Sequence, residues 1–282
     1  MKTRLILLFA AALPLSAAAA QSSLMLGLGV GSGAEYAGSD ESETVALPAI
    51  NWEWQRDDAC AGGLRLHRAF AGVDGVGAAF WCAGAAAFTV NAGYDAGRDE
   101  SASDHLDGLP DVDGGGSIGL GFTYGDDDGL TFGIEAASVD SDLVASAEIG
   151  YPLFDFIDAG IGINYADKGR MQKYFGVIGN VADNDMDNTN DMAGAAMDEC
   201  GVVAAGNSNY KGANYCDELG GGIQSWTVSL STFIPLPFAG DSWAASIGID
   251  HTTLIGDAAD SPLVHDKSDT FIGLTIVWQR ER

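Results

Sequence analysis

Basic side chains are scarce. The 282 residues carry 13 Lys and Arg against 40 Asp and Glu, a formal charge of −27. Binding to a phosphate backbone draws on positive charge, so nucleic acid is excluded as a partner. Long apolar runs are lacking too. Beyond the leader described below, no stretch approaches the ~18 consecutive apolar residues of a membrane helix, which excludes a helical span. Histidine and cysteine number four each, and His67, His105, His251 and His265 show no metal-ligand spacing. The sequence therefore implies no metal and no cofactor.

The chain opens with an address. MKTRLILLFAAALPLSAAAA places Lys2 and Arg4 before an apolar run from Leu5 to Leu15, and Ala18 and Ala20 form an A-x-A cleavage pattern before Gln21. Residues 1–20 are expected to be removed, leaving 21–282 outside the cytoplasm, where disulfides are permitted. Without Lys2 and Arg4 the balance is 11 basic (13 − 2) against 40 acidic, a net of −29 (11 − 40).

What the chain does have is alternation. Leu24, Leu26, Leu28 and Val30 alternate with Met25 and glycines; Phe88, Val90, Ala92 and Tyr94 with Thr89, Asn91 and Gly93. Ile157, Ala159, Ile161, Ile163 and Tyr165 oppose Asp158, Gly160, Gly162 and Asn164, and Trp243, Ala245, Ile247 and Ile249 oppose Ala244, Ser246, Gly248 and Asp250. Period 2 with one apolar face and one small or polar face marks strands with different solvents on their two sides. An antiparallel transmembrane β-barrel has that arrangement, apolar outside and polar within.

The pattern predicts strands at roughly 24–32, 44–55, 61–69, 73–82, 84–95, 115–124, 130–138, 143–151, 156–166, 222–234, 242–252 and 270–279. Twelve is the expected number, with ten as the alternative because the third and fourth are weakest. An even count puts both chain ends on the periplasmic side. Long acidic connections at 33–43, 96–114, 167–221 and 253–268 then fall outside, and short ones such as GDDDG and PLFD face the periplasm. Trp54, Tyr124, Tyr151, Trp243 and Trp278 are expected near the periplasmic rim, Tyr94, Tyr165 and Trp226 near the outer one.

A hairpin of 61–69 and 73–82 turning around Ala71 would set Cys60 opposite Cys82, with Leu64 opposite Ala78 and Leu66 opposite Val76. Cys60–Cys82 and Cys200–Cys216 are the expected local disulfides, one of three possible pairings. Asp95, Glu135, Glu148, Asp158 and Asp250 are expected in the lumen, with Glu135 and Glu148 diagonal across a turn between Asp140 and Ser141. Arg65 and His67 are their expected counter-charges. A passage lined this way favours cations; a filled barrel with internally paired charges is the other reading.

Enzymatic chemistry finds little support. DNDMDNTND at 183–191 resembles the start of a calcium loop, but Asn188 stands where glycine belongs and Gly194 where the bidentate glutamate belongs. His265 and Ser268 lie near the outer rim, where outer-membrane lipid hydrolases act, yet nothing supplies a group to orient the histidine. The chain reads as non-enzymatic.

Four stretches carry a family resemblance: EYAGSDESETVALPAINWEW, AGRDESASDHLDGLPDVDGGGSIG, INYADKGRMQKYFGV and LIGDAADSPLVHD. Together they resemble the MipA/OmpV family of outer-membrane proteins, from about Leu24 to Trp278. The matching residues are Tyr36, Gly38, Ser39 and Asp40; Arg98, Asp99 and Glu100; Met171, Tyr174, Phe175 and Gly176; and Gly256, Asp257, Ala258, Asp260, Ser261 and Pro262. All fall on outer loops, where turn chemistry accounts for most of their types. The resemblance implies an outer-membrane barrel in bilayer lipid. It also implies a scaffold joining a murein lytic transglycosylase to a peptidoglycan synthase; a small-solute, cation-leaning channel or a surface binding protein is the alternative. Residues 180–216 read as an insertion relative to the family.

Overall fold

Each alternating segment pairs with its neighbours in the chain, and the first pairs with the last. The computed structural model describes residues 20–56, 61–73, 75–106, 111–125, 129–154, 156–176, 219–240 and 242–281. Twelve strands are present: β1 (Ala20–Ala34), β2 (Ser42–Arg56), β3 (Ala61–Gly72), β4 (Gly75–Ala83), β5 (Ala86–Asp95), β6 (Gly115–Tyr124), β7 (Thr131–Val139), β8 (Asp142–Phe154), β9 (Ile157–Ala166), β10 (Gly222–Pro235), β11 (Trp243–Leu254) and β12 (Ser268–Glu281). They form one closed antiparallel barrel. Closure by β1 on β12 removes both sheet edges, so every wall strand has a hydrogen-bonded neighbour on each side. Among the described residues no helix is long and apolar enough to cross a membrane.

The wall is inside out relative to a water-soluble fold. Leu28, Ile118 and Leu64 project outward and are 66%, 69% and 81% exposed. On the same face Phe88 packs at a tilt against Trp81 and Phe122, 5.3 Å and 4.9 Å away from ring centre to ring centre. Such cross-strand aromatic pairs hold neighbouring strands in register. Inward positions carry Gly, Ser, Thr and carboxylates. Buried apolar side chains are concentrated elsewhere, in the outer loops, where Met171, Phe175, Leu219, Leu254, Ala258, Ala259 and Val264 pack with Ala166.

Two hairpins contrast with each other. Between β7 and β8 the chain turns on Asp140 and Ser141, with Val139 opposite Asp142 and both turn residues at positive φ (47° and 75°). That is the primed two-residue turn whose twist suits a hairpin. The β3–β4 hairpin departs from expectation. It closes at Gly72 opposite Gly75, not around Ala71, and Leu64 lies opposite Trp81, not Ala78. Gly75 takes the positive φ of 134° that the tight turn needs. Register shifts between Ala61 and Leu64 and between Leu64 and Arg68 then displace the lower part of the pair. Cys82 is fully buried on β4 and is not a free thiol. Cys60, Cys200 and Cys216 lie outside the described residues, as do residues 1–19 and the 183–191 stretch.

The loops are also more structured than turn chemistry implies. Helix α1 (Lys168–Phe175) follows β9, helix α2 (Gly256–Asp260) follows β11, and short 3-10 turns occupy Glu100–Ala102 and Asp104–Leu106. Asp167 starts α1 by accepting from the Arg170 amide at 2.9 Å, an N-cap that satisfies one orphan donor of the first turn.

Candidate functional site

The lumen is built by strand parity. In β8–β11 the inward positions are Ser146, Glu148, Asp158, Gly160, Gly162, Asn164, Thr227, Ser229, Ser231 and Asp250, and they line a cavity of about 460 Å³. Ser229 of β10 pairs with Gly160 and Asp250, while Ser231 pairs with Asp158, so hydroxyls separate the carboxylates. Glycines on neighbouring strands make room. A Cβ on Gly133 would lie 3.0 Å from the Glu148 carboxylate, and one on Gly119 would lie 3.1 Å from that of Glu135. Gly133 faces Glu148 and Glu135 faces Ser146, which sets the two glutamates diagonally. Among the described residues Glu135, Glu148, Asp158 and Asp250 make no ion pair. On the opposite wall Arg68 pairs with Glu53 at 2.8 Å, a pairing not read from the sequence, and His67 is buried.

Asp95 differs from the other four. It ends β5 at the outer rim and belongs to the loops above. Its carboxylate accepts from the Gly97 amide (2.8 Å), the Tyr174 hydroxyl (2.8 Å) and the Arg170 guanidinium. Arg170 also lies over the Tyr174 ring, 3.9 Å from its centre. Arg98 donates to the Tyr174 carbonyl at 2.7 Å. Burial, then the bond to Asp95, pushes the Tyr174 hydroxyl up to about 12.

The remaining family-like residues meet in the same cap. Ser261 Oγ donates to the Phe175 carbonyl, and its oxygen accepts from the Leu263 amide at 3.1 Å. The Tyr36 hydroxyl donates to the Leu263 carbonyl at 3.0 Å; burial, then Asp40, raises it to about 12. Gly38 adopts φ +104° and leaves no room for a side chain, since a Cβ would sit 2.7 Å from Val264. Its carbonyl accepts from the amides of His265 (2.7 Å) and Asp266 (3.0 Å). Ser39 is buried, its hydroxyl oxygen accepting from the Glu41 amide. Asp99 caps the 3-10 turn that begins at Glu100. Asp257 accepts from the Gly220 amide at 2.7 Å, Asp260 pairs with Lys267 at 3.1 Å, and Gly176 closes α1. Met171, Ala258 and Pro262 are buried, and Gly256 opens α2 at positive φ.

Three groups that the sequence showed no reason to join also meet here. His105 Nε2 lies 3.0 Å from Asp40 Oδ1, and the His105 and His265 rings stack with centres 3.9 Å apart. Spacing along the chain gives no signal for this, because three separate loops bring the residues together. Asp167 and Arg170 belong to the cap as well, and the signal for Asp167 is its place ahead of a helix-forming stretch, an N-cap signature. Ser268 Oγ bonds Asp266, not a histidine.

A closed twelve-stranded antiparallel wall, apolar outside and polar within, and capped by loops at one end, defines an outer-membrane β-barrel. A family model described as MltA-interacting protein MipA matches residues 26–280. The chain belongs to that family, and the outer membrane is its location. Solved barrels similar to it include an anion-selective porin from Comamonas acidovorans, 7% identical over 93% of this chain and 99% of that one, with a TM-score of 0.36. BamA from Haemophilus ducreyi lacking POTRA domains 1–3 is 12% identical over 93% and 70%, with a TM-score of 0.35. The outer membrane channel DcaP of Acinetobacter baumannii is 7% identical over 92% and 97%, with a TM-score of 0.34. No curated protein matches the chain.

Proposed function

We propose that this barrel is a non-enzymatic outer-membrane channel for small solutes that favours cations. The observation that carries the reading is the cavity into which Glu148, Asp158 and Asp250 project without an ion partner among the described residues. Carboxylates lining a passage attract cations and repel anions. Internally paired charges, as in Glu53–Arg68, would argue for a filled barrel, but that pair stands on the other wall. Ion conductance of the refolded protein across a planar bilayer with a salt gradient tests the reading. A reversal potential of the cation-selective sign is expected, reduced when Glu148→Gln and Asp250→Asn are combined. A silent bilayer, or selectivity indifferent to that pair, would overturn it.

Family membership favours a second reading, a scaffold that joins a murein lytic transglycosylase to a peptidoglycan synthase. The described periplasmic connections are short, Gly84–Ala85 between β4 and β5 among them, so the docking surface would be the lower rim. Capture of both enzymes from detergent extracts by the barrel, lost on blocking that rim, would support it. We also propose removal of residues 1–20 and the bridges Cys60–Cys82 and Cys200–Cys216, both read out by mass mapping of the non-reduced mature protein.

A further inference from the structure

We infer that Asp40, His105 and His265 form a binding site for a divalent transition-metal ion, zinc being the best fit, that fastens three outer loops of the cap to one another. One ligand atom from each residue lies within 4.8 Å of the others. A tetrahedral zinc with bonds of ~2.0 Å spaces its ligands about 3.3 Å apart, so the three must close by roughly 1.5 Å at most. Asp40 is exposed and His105 and His265 are half-buried, which leaves the carboxylate free to swing and the two rings free to turn out of their stack toward a shared ion.

The backbone that carries the two rings is set in place by its surroundings. The rings stack with an interplanar angle of 21°, so each turns about its Cβ–Cγ bond to bring both lone pairs onto one ion. The His105 backbone amide bonds Ser103 Oγ, and the His265 amide bonds the Gly38 carbonyl. His105 Nδ1 is buried without a hydrogen-bond partner among the described residues, and Nε2 is the nitrogen turned toward Asp40. Below the site, Leu106 and Leu263 are buried against each other, with Tyr36 packed on them, so the residues flanking both histidines are anchored.

The donor set selects the ion. Two imidazoles and one carboxylate suit zinc, copper or nickel, whereas magnesium and calcium take oxygen ligands. Three protein ligands also leave a fourth position for water or a partner group. The strongly acidic chain raises the local concentration of any divalent cation, which speeds capture without choosing among them. Discrimination therefore rests on the imidazoles.

The test is calorimetric titration of zinc into the refolded, untagged mature protein in detergent, with magnesium in excess to occupy carboxylate-only sites. One zinc per chain is expected, with affinity at least tenfold weaker in His105→Gln and in His265→Gln, each checked for the folded, heat-modifiable form on a gel. No zinc uptake, or uptake unchanged in both variants, overturns the site. Should either variant fail to fold, copper bound to the unaltered protein decides the matter by electron paramagnetic resonance. Nitrogen coupling from two imidazoles supports the assignment, and an oxygen-only signal rejects it.

Discussion

The hydroxyl of Ser261 donates to the carbonyl of Phe175, 2.5 Å away and 86 residues distant in the chain. The same oxygen accepts from Leu263, and Ser261 is only 3% exposed. One side chain thus ties the end of α1 to the loop after α2. Ser261→Ala leaves a buried carbonyl and a buried amide without partners, a loss of about 1–3 kcal/mol. It should loosen the cap and leave the wall intact. Limited proteolysis of the folded protein would show faster cleavage in the outer loops at unchanged heat-modifiability, and equal protection of both proteins would count against this role.

Arg170 is the other tie, because it serves Asp95 and Tyr174 together. Its side chain is 16% exposed. The pair with Asp95 is thus partly dry, and breaking it should cost about 1–3 kcal/mol, short of a fully buried pair. Arg170→Gln and Tyr174→Phe should not add in a double-mutant cycle, since both act on the same carboxylate. Additive effects would mean that the two contacts are independent. Conductance offers a second readout: Arg170→Gln should give larger or noisier openings as the cap loosens.

The wall was legible in the sequence because two solvents force a period of two on every strand. The twelve strands, the closed antiparallel order and the Asp140–Ser141 turn all follow from that alternation and from polar punctuation. Register in β3–β4 was not legible, because the shifts flanking Leu64 leave no mark in composition. The cap was legible only as a set of loops. Helices of eight and five residues lie below the length at which propensity alone sustains a helix. They exist because Met171, Phe175, Ala258 and Ala259 bury against one another. The meeting of Asp40, His105 and His265 depends on that packing, so residue spacing could not announce it.

Strong base should open the cap before the wall. Tyr36 and Tyr174 both titrate near 12 rather than 10, chiefly through burial. Their neutral form is favoured by folding, so this stability is whole below the ordinary value of about 10. It is lost as pH rises through about 12. Ring-labelled tyrosine spectra, assigned with Tyr36→Phe and Tyr174→Phe, should show both phenols neutral past pH 11 or so. Titration of either near 10 would mean that its hydroxyl is not held in the cap.

Acid should act on the same structure from the other side, through Asp167. Burial opposes its charge, but the amides of Arg170, Leu143 and Gly169 outweigh burial and, with Lys173, hold the carboxyl below its usual range. The contribution to stability is therefore complete above the unfolded value of ~3.9 and fades as pH falls from there through the lower folded value. Two of those bonds measure 2.7 Å from Leu143 and 2.9 Å from Arg170. Below about pH 4 the amides of Leu143 and Arg170 should exchange with solvent faster, while amides in the middle of β8 and β9 keep their protection. Asp167→Asn retains an acceptor but not the titration, so the acid step should vanish in that variant. If the step persists in Asp167→Asn, another carboxylate governs the acid response, and the N-cap of α1 is not what holds that edge of the cap.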